Sequence, residues 1–308
     1  MPEGFEPPSV PDVCAGAGEH PTQAVPLHDD LVYDVGMHLG EDTAFYLRKG
    51  YRVLAFEANP DLLSHNTRRF SQEIDAGRLE ILHGAISDSP GDSVSFYVHP
   101  TKTVWGTTQP QWAERNANRG ESVRVEVPRV DLSAVIRSHG MPWYMKIDIE
   151  GADLFCLEVL KGFSPKPAFV SIESEKENWS RLVQEIDLLA DLGFDQFAAV
   201  QQEGVHRRLR QFRGRTRSGA AFVHDFEEHS SGPFGADLQG WVDRPEVLRR
   251  YARVFAEYRL LGDESLLQRT RIGFVALKAI SRVVRRPLPG WYDTHAARSD
   301  VVQLTSAE

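Results

Sequence analysis

A chain of 308 residues is long enough for one large α/β domain with additions, and a hydrophobic content of 41% is that of a globular protein with a real core. Its 35 basic and 44 acidic residues give a formal charge of −9, which speaks against nucleic acid as the main partner, since polyanion binders carry a broad basic surface. Cys14 and Cys156 stand in unrelated contexts without metal-ligand spacing, so neither zinc nor a disulfide framework is expected and a reducing, cytoplasmic setting fits.

Residues 1–28 are rich in proline and glycine, open with acidic residues and lack the basic start and apolar run of a secretory signal, so a flexible arm is expected. No stretch approaches the ~20 apolar residues that span a bilayer. From Leu31 a regular rhythm sets in. Residues 31–36 form a short apolar run ending in an acid and a glycine, which predicts a buried strand, and 41–49 has helical character with Gly50 as its stop. A second strand is expected over 51–57, a helix from Pro60 to about Ile74, and a third strand over 79–86. Alternating strands and helices imply a parallel sheet with right-handed crossovers. Two strands, 94–98 and 123–127, flank a polar loop containing Trp105 and Trp112. The rhythm then resumes with a helix over 131–138, a strand over 143–149, a helix over 152–160, a strand over 168–172, a helix over 179–192 and a strand over 194–200. Beyond 203 come an arginine-rich loop and helices over 245–261 and about 265–284, read as a C-terminal extension or cap.

The most informative stretch is Tyr33-Asp-Val-Gly-Met-His-Leu-Gly40, with Glu57 at the end of the next strand. A strand ending in glycine lets the backbone turn sharply and approach a ligand, and a carboxylate at the position of Glu57 can accept hydrogen bonds from ribose hydroxyls. A dinucleotide site would favour three glycines and no acid beside a pyrophosphate. Here only Gly36 and Gly40 are present, and Asp34 suits the ammonium and sulfonium charges of S-adenosylmethionine.

With these residues in place, the chain resembles the FkbM family of S-adenosylmethionine-dependent methyltransferases. The resemblance rests on YDVGMHLGEDTAFYLRKGYRVLAFEANP, HGAISDSPGD, VPRVDL, KIDIEGADLFCLEVLKG and FVSIES, which lie between about Leu31 and Glu175. It implies a class I methyltransferase fold, a Rossmann-like seven-stranded sheet with one antiparallel strand, over residues 29–203. It further implies O-methylation of a small hydroxylated metabolite such as a sugar, polyketide or glycolipid. Asp34, Gly36 and Gly40 match the family's cofactor loop and Glu57 its ribose-binding acid. Ala58 and Asn59 follow that acid where the adenine edge would lie, Ala85 and Ile86 fall where the third strand borders the base, and Asp148 and Glu150 match the D-x-E-G element. Met37-His38 stand where many members have alanine and asparagine, which gives His38 a possible local role.

Methyl transfer from a sulfonium is an in-line displacement, so the enzyme must align the acceptor within about 3–3.5 Å of the methyl and, for a hydroxyl, remove its proton. The candidates for that chemistry are Asp148, Glu150, His38 and Glu173, the last ending the fifth strand; no dense carboxylate cluster specifies a metal. Arg207, Arg208, Arg210, Arg213, Arg215 and Arg217 form either an anion-recognising run or a solvated hairpin, while Trp105, Trp112, Trp291, Tyr292 and His295 either close over an acceptor or pack in the core or a homo-oligomer contact. The expected partner is a small-molecule acceptor, with no nucleic acid and no membrane span. An N-methyltransferase, a macromolecule-directed methyltransferase, a nicotinamide-dependent oxidoreductase and a non-catalytic binding module are the competing readings.

Overall fold

Seven strands form the central sheet: β1 (Leu27–Val35), β2 (Arg52–Glu57), β3 (Leu79–His83), β4 (Met141–Ile147), β5 (Phe169–Glu173), β6 (Gln196–Gln201) and β7 (Tyr292–Ala297). The computed structural model describes residues 22–99, 106–111, 122–149, 151–176, 178–261 and 290–306. The strand order is β6-β7-β5-β4-β1-β2-β3. Strands β2, β1, β4 and β5 pair in parallel with their neighbours out to β3, whereas β7 runs antiparallel to both β5 and β6.

Alternation along the buried strands builds a core on each face. Tyr33, Val35, Met145 and Ile147 point to one face, against α3 (Leu132–His139), α4 (Asp153–Lys161), α5 (Trp179–Asp191) and α6 (Arg244–Leu261). Val32, Val53 and Tyr144 point to the other, where α1 (Glu41–Arg48) contributes Phe45 and Tyr46. The segment 205–234 packs there too, with Phe222, Phe226 and Phe234 grouped around Phe45 at ring-centroid distances of 4.8–6.1 Å. The helix starts follow from local chemistry. Asn59, Asp131 and Asn178 cap α2 (Pro60–Arg69), α3 and α5 by accepting from backbone amides at 3.0 to 3.1 Å.

Four departures from the expected elements have clear causes. Residues 22–28, expected within a flexible arm, are tied down: Gln23–Ala24 pairs in parallel with Phe163–Ser164, Val25 donates to the Ser164 carbonyl at 2.9 Å, and β1 begins at Leu27. The third strand stops at His83 because Gly84, at φ +141°, lies so close to the Pro128 carbonyl that a Cβ there would sit 2.4 Å away. Ala85–Ile86 then leaves the main sheet and pairs with Arg129–Val130, in a small sheet with the antiparallel strand 93–98. The expected helix from Pro60 to Ile74 breaks at Phe70 into two. The largest departure is β7. Tyr292 and His295, expected either to close over an acceptor or to pack in the core or an oligomer contact, lie in a strand between β5 and β6, with His295 in the core, so the sheet draws its last strand from beyond residue 203. Tyr292 and Thr294 favour a strand, Asp293 and the two alanines disfavour one, and pairing on both sides makes it. Buried among apolar neighbours and 1% exposed, His295 is pushed down to about 3 and is neutral.

The arginine run resolves into a short helix, 205–208, and a hairpin of 212–215 with 221–224. Arg217 pairs with Asp29 at 3.2 Å and lies over the Tyr51 ring, and Arg215 donates to the Gly219 carbonyl. Cys156 is buried and unpaired in α4. Trp105, Trp112, Cys14 and the expected helix over 265–284 lie outside the described residues. No described helix is long and apolar enough to cross a membrane.

Helix α5 carries a buried acid, Glu185, whose Oε2 accepts from the Glu175 amide at 3.1 Å just beyond β5. Burial, reinforced by the Glu175 and Asp153 carboxylates, pushes Glu185 up to about 8, against the Glu175 amide and Arg181. A folded pKa above the ordinary 4.5 favours the native state below that value and loses this advantage as pH rises through about 8. Glu185→Gln keeps the acceptor oxygen and removes the ionisation. The expected outcome is a melting temperature several degrees above wild type at pH 9, with little difference at pH 5, in thermal denaturation at the two pH values.

Candidate active site

The loop between β1 and α1 is set by its glycines. Gly36 has φ +93°, and a Cβ on it would lie 2.0 Å from the Asp148 carbonyl oxygen, so only glycine fits the contact between this loop and the end of β4. Gly36 and Met37 donate to the Phe56 carbonyl at 3.2 and 3.0 Å, and Asp148 donates to the Val35 carbonyl at 2.9 Å. The C-terminal ends of β1, β2 and β4 are thus drawn into one edge, with Gly40 opening α1 at φ +79°.

Glu57 ends β2 at this edge. Its Oε2 accepts from the His38 amide at 2.9 Å and its Oε1 from the Asn59 amide at 2.8 Å. Burial pushes it up to about 7, while those two amides pull it down. A carboxylate has about four lone-pair sites, so two remain for hydroxyl donors. The Asn59 side-chain oxygen accepts from the Asp61 amide at 3.0 Å and so caps α2. His38 adopts a left-handed φ of +52° that presents its amide to Glu57, and its carbonyl accepts from Asn66 at 2.6 Å. Its ring meets Glu41 Oε2 at 3.6 Å and the His229 ring at 5.3 Å.

Asp34 lies elsewhere than expected. It is fully buried behind the loop, where Oδ2 accepts from Thr43 Oγ1 at 2.6 Å and Oδ1 is 3.7 Å from Lys146 Nζ. Burial pushes it up to about 6, with Lys146 pulling back. Lys146, 4% exposed, also lies 3.3 Å from Asp42 Oδ2 and 3.3 Å from Asp148 Oδ2. Burial alone would lower its pKa, but Asp148, Asp42, Asp34 and Asp293 together hold it well above the usual lysine value. Of the three paired carboxylates only Asp148 reaches solvent, its side chain being 38% exposed.

The turn after Asp148 is pinned by Asp153, whose two oxygens accept from the Ile149 and Gly151 amides at 3.3 Å each. Gln109 donates to the Gly151 carbonyl from the other side at 3.1 Å. Glu173 ends β5 beside β4, opposite Asp293 on β7, and Lys176 lies 3.3 Å from its Oε1. Burial raises the Glu173 pKa, and Asp148 and Asp153 raise it further against Lys176. Among the described residues no group of three acids, histidines or cysteines forms a metal site. Ala85 and Ile86 are buried at the start of the small sheet, and Ile86 borders a crevice of about 600 Å³ lined also by Ser87, Tyr97, Gln109, Gly151 and Phe155. Glu150 lies outside the described residues.

The structure therefore gathers Gly36, Gly40, Glu57 and Asp148 at one sheet edge, with Glu173 one strand further on, and sets Asp34 behind it. Lys146, Asp42, Asp153 and Asp293 were not expected from the sequence. A lysine inside the run Met-Pro-Trp-Tyr-Met-Lys-Ile is the signal that points to the cluster, since a fully buried lysine needs partners.

A seven-stranded sheet in this order, with β7 alone antiparallel, and a glycine turn facing a ribose-type acid across the edge define a class I, S-adenosylmethionine-dependent methyltransferase. The methyltransferase FkbM domain matches residues 34–195, more than half of the chain, and the chain belongs to that family. No curated protein matches the sequence. Among solved structures, the chain is similar to a methyltransferase FkbM from Methylobacillus flagellatus KT at 16% identity and TM-score 0.34, covering 56% of this chain and 40% of that one. It is similar to precorrin-6y C5,15-methyltransferase from Geobacter metallireducens GS-15 at 12% identity and TM-score 0.31, over 65% and 77% of the two chains. A Geobacter sulfurreducens SAM-dependent methyltransferase in complex with S-adenosyl-L-homocysteine gives 12% and 0.33 over 87% and 84%. The sheet order and the family match carry the assignment.

Gly36→Ala forces a Cβ into the Asp148 carbonyl at a positive φ. It is expected to cost about 1–3 kcal/mol of stability and to abolish the thermal shift that S-adenosylhomocysteine gives the wild type. Glu57→Ala strips the acceptor from two backbone amides and should weaken S-adenosylhomocysteine binding by at least about tenfold, read by calorimetry.

Proposed function

We propose that this methyltransferase carries the methyl group of S-adenosylmethionine to a hydroxyl of a small metabolite such as a sugar, polyketide or glycolipid, in the cytoplasm. The observation that carries the reading is the convergence of the Gly36–Gly40 turn, Glu57 and Asp148 on one sheet edge, where Gly36 is packed directly on the Asp148 backbone. When bound, the cofactor supplies an electrophilic methyl on a sulfonium. The residues of this chain would hold its ribose through the remaining lone pairs of Glu57 and its base along Ile86. The acidic edge gives a potential that favours a cation, with the contribution of Asp34 tempered by Lys146.

The acceptor proton falls to Asp148, the solvent-reaching carboxylate of the cluster, with Glu173 as a second acceptor held by Lys176. His38 is assigned a positioning part through its amide, because its ring is engaged with Glu41 and His229. The cofactor-binding unit is residues 29–203 together with β7, and the rest of 204–308 is an extension whose described part packs on both faces of the sheet. A second reading, N-methylation of an amine, uses the same edge: Asp148, the carboxylate that reaches solvent, would take the proton that frees the lone pair of the amine.

Incubation with methyl-labelled S-adenosylmethionine and the small-molecule extract of the source organism, followed by mass spectrometry, separates the two. A methyl ether is expected; a methylamine would replace the O-methylation reading with the second. Asp148→Asn and Glu173→Gln are expected to lower kcat by about 100-fold or more each, as for general-base loss. Unchanged kcat in both would clear them of proton transfer. S-adenosylhomocysteine and not NAD should raise the melting temperature of the wild type.

A further inference from the structure

Lys146 and Asp148 lie two residues apart at the C-terminal end of β4, with side chains on the same face. The ammonium of Lys146 reaches carboxylates carried by three other places in the chain: Asp34 on β1, Asp42 on α1 and Asp148 beyond β4. The Gly36 carbonyl, in the cofactor turn itself, is 3.5 Å away. An ammonium has three donors, so it can serve several of these acceptors at once.

The partners on the buried side are themselves fixed. Asp34 is held by Thr43 at 2.6 Å, and Asp42 Oδ1 accepts from the Ser231 amide at 2.8 Å in the segment packed over α1. Both are buried, so neither carboxylate has solvent to turn into. Asp148 is the partner at the edge, and Gly36 is the residue whose backbone packs on it. A point charge anchored on its inner side and paired on its outer side sets where the outer side sits. We propose that Lys146 is a positioning residue for methyl transfer, its compact ammonium holding the Gly36 carbonyl and the Asp148 carboxylate, the two lips of the cofactor crevice, at a fixed separation.

The proposal rests on the cofactor site described above, and its test is built to fail separately from it. The affinity of wild type, Lys146→Met, Asp148→Asn and the double variant for S-adenosylhomocysteine is measured by calorimetry. Hydrogen exchange of residues 36–40 and 148–152 is followed in the ligand-free proteins. Lys146→Met is expected to weaken binding by about tenfold, with the double variant losing less than the product of the two single losses, because both act on one lip. Exchange in both segments should rise in Lys146→Met while β5 and β6 keep wild-type protection, a pattern general destabilisation would not give. Wild-type affinity or wild-type exchange in Lys146→Met, or losses that multiply, would overturn the assignment. Where wild type binds no S-adenosylhomocysteine, the cofactor reading falls, and exchange alone decides for or against Lys146. Where Lys146→Met does not fold, Lys146→Arg takes its place: its planar head is wider than an ammonium. It is expected to fold and bind more weakly, and wild-type affinity and exchange in that variant would sink the positioning role.

Discussion

A lysine ammonium sealed in the core would be intolerable without compensation, and everything at the C-terminal edge of this sheet is arranged around supplying it. Desolvating a charge costs several kcal/mol, which mutual attraction offsets only when geometry is good and the remaining hydrogen bonds are made. Here Asp34, Asp42 and Asp148 close on Lys146 from β1, α1 and the end of β4. Thr43 and the Ser231 amide each donate to one oxygen of two of the aspartates, Asp34 and Asp42. The carboxylates exceed the single ammonium, so burial and mutual repulsion favour protonation of the most enclosed acids, and Asp34 and Asp293 are both raised.

The carboxylate that reaches solvent at this edge is Asp148, and a carboxylate there suits the positive sulfonium of the methyl donor. The compensation is graded: Asp34 and Asp42 are buried beside Lys146, whereas Asp148 is the partner that reaches solvent. The backbone strain of the site sits at His38, whose left-handed conformation turns its amide to Glu57.

The C-terminal part of the chain belongs to the same construction. Strand β7 brings Asp293 to the register position of Glu173, and Ser174, Tyr251 and Thr294 tie β5, α6 and β7 with hydroxyl contacts of 2.6–2.9 Å. The loop at Ser231 fixes Asp42, and Phe234 stacks on Tyr144 of β4 at 4.3 Å. Residues remote in sequence from the cofactor turn therefore brace it from behind.

Most strands and helices from Leu31 to Gln201 were legible because apolar runs, caps and glycine stops act locally, and so were Gly36, Gly40 and Glu57, whose spacing is the spacing of a turn and the next strand end. Asp34 was legible as an acid beside that turn but not as a buried one, since which way it faces depends on Lys146, 112 residues later in the chain. The end of β3 at Gly84 was hidden because its cause is the Pro128 carbonyl. Strand β7 was hidden because Asp293 and the two alanines dilute the strand preference of Tyr292 and Thr294. Local chemistry writes turns and periodicities into the sequence, whereas the partner of a buried charge and the pairing of a polar strand exist only once distant segments meet.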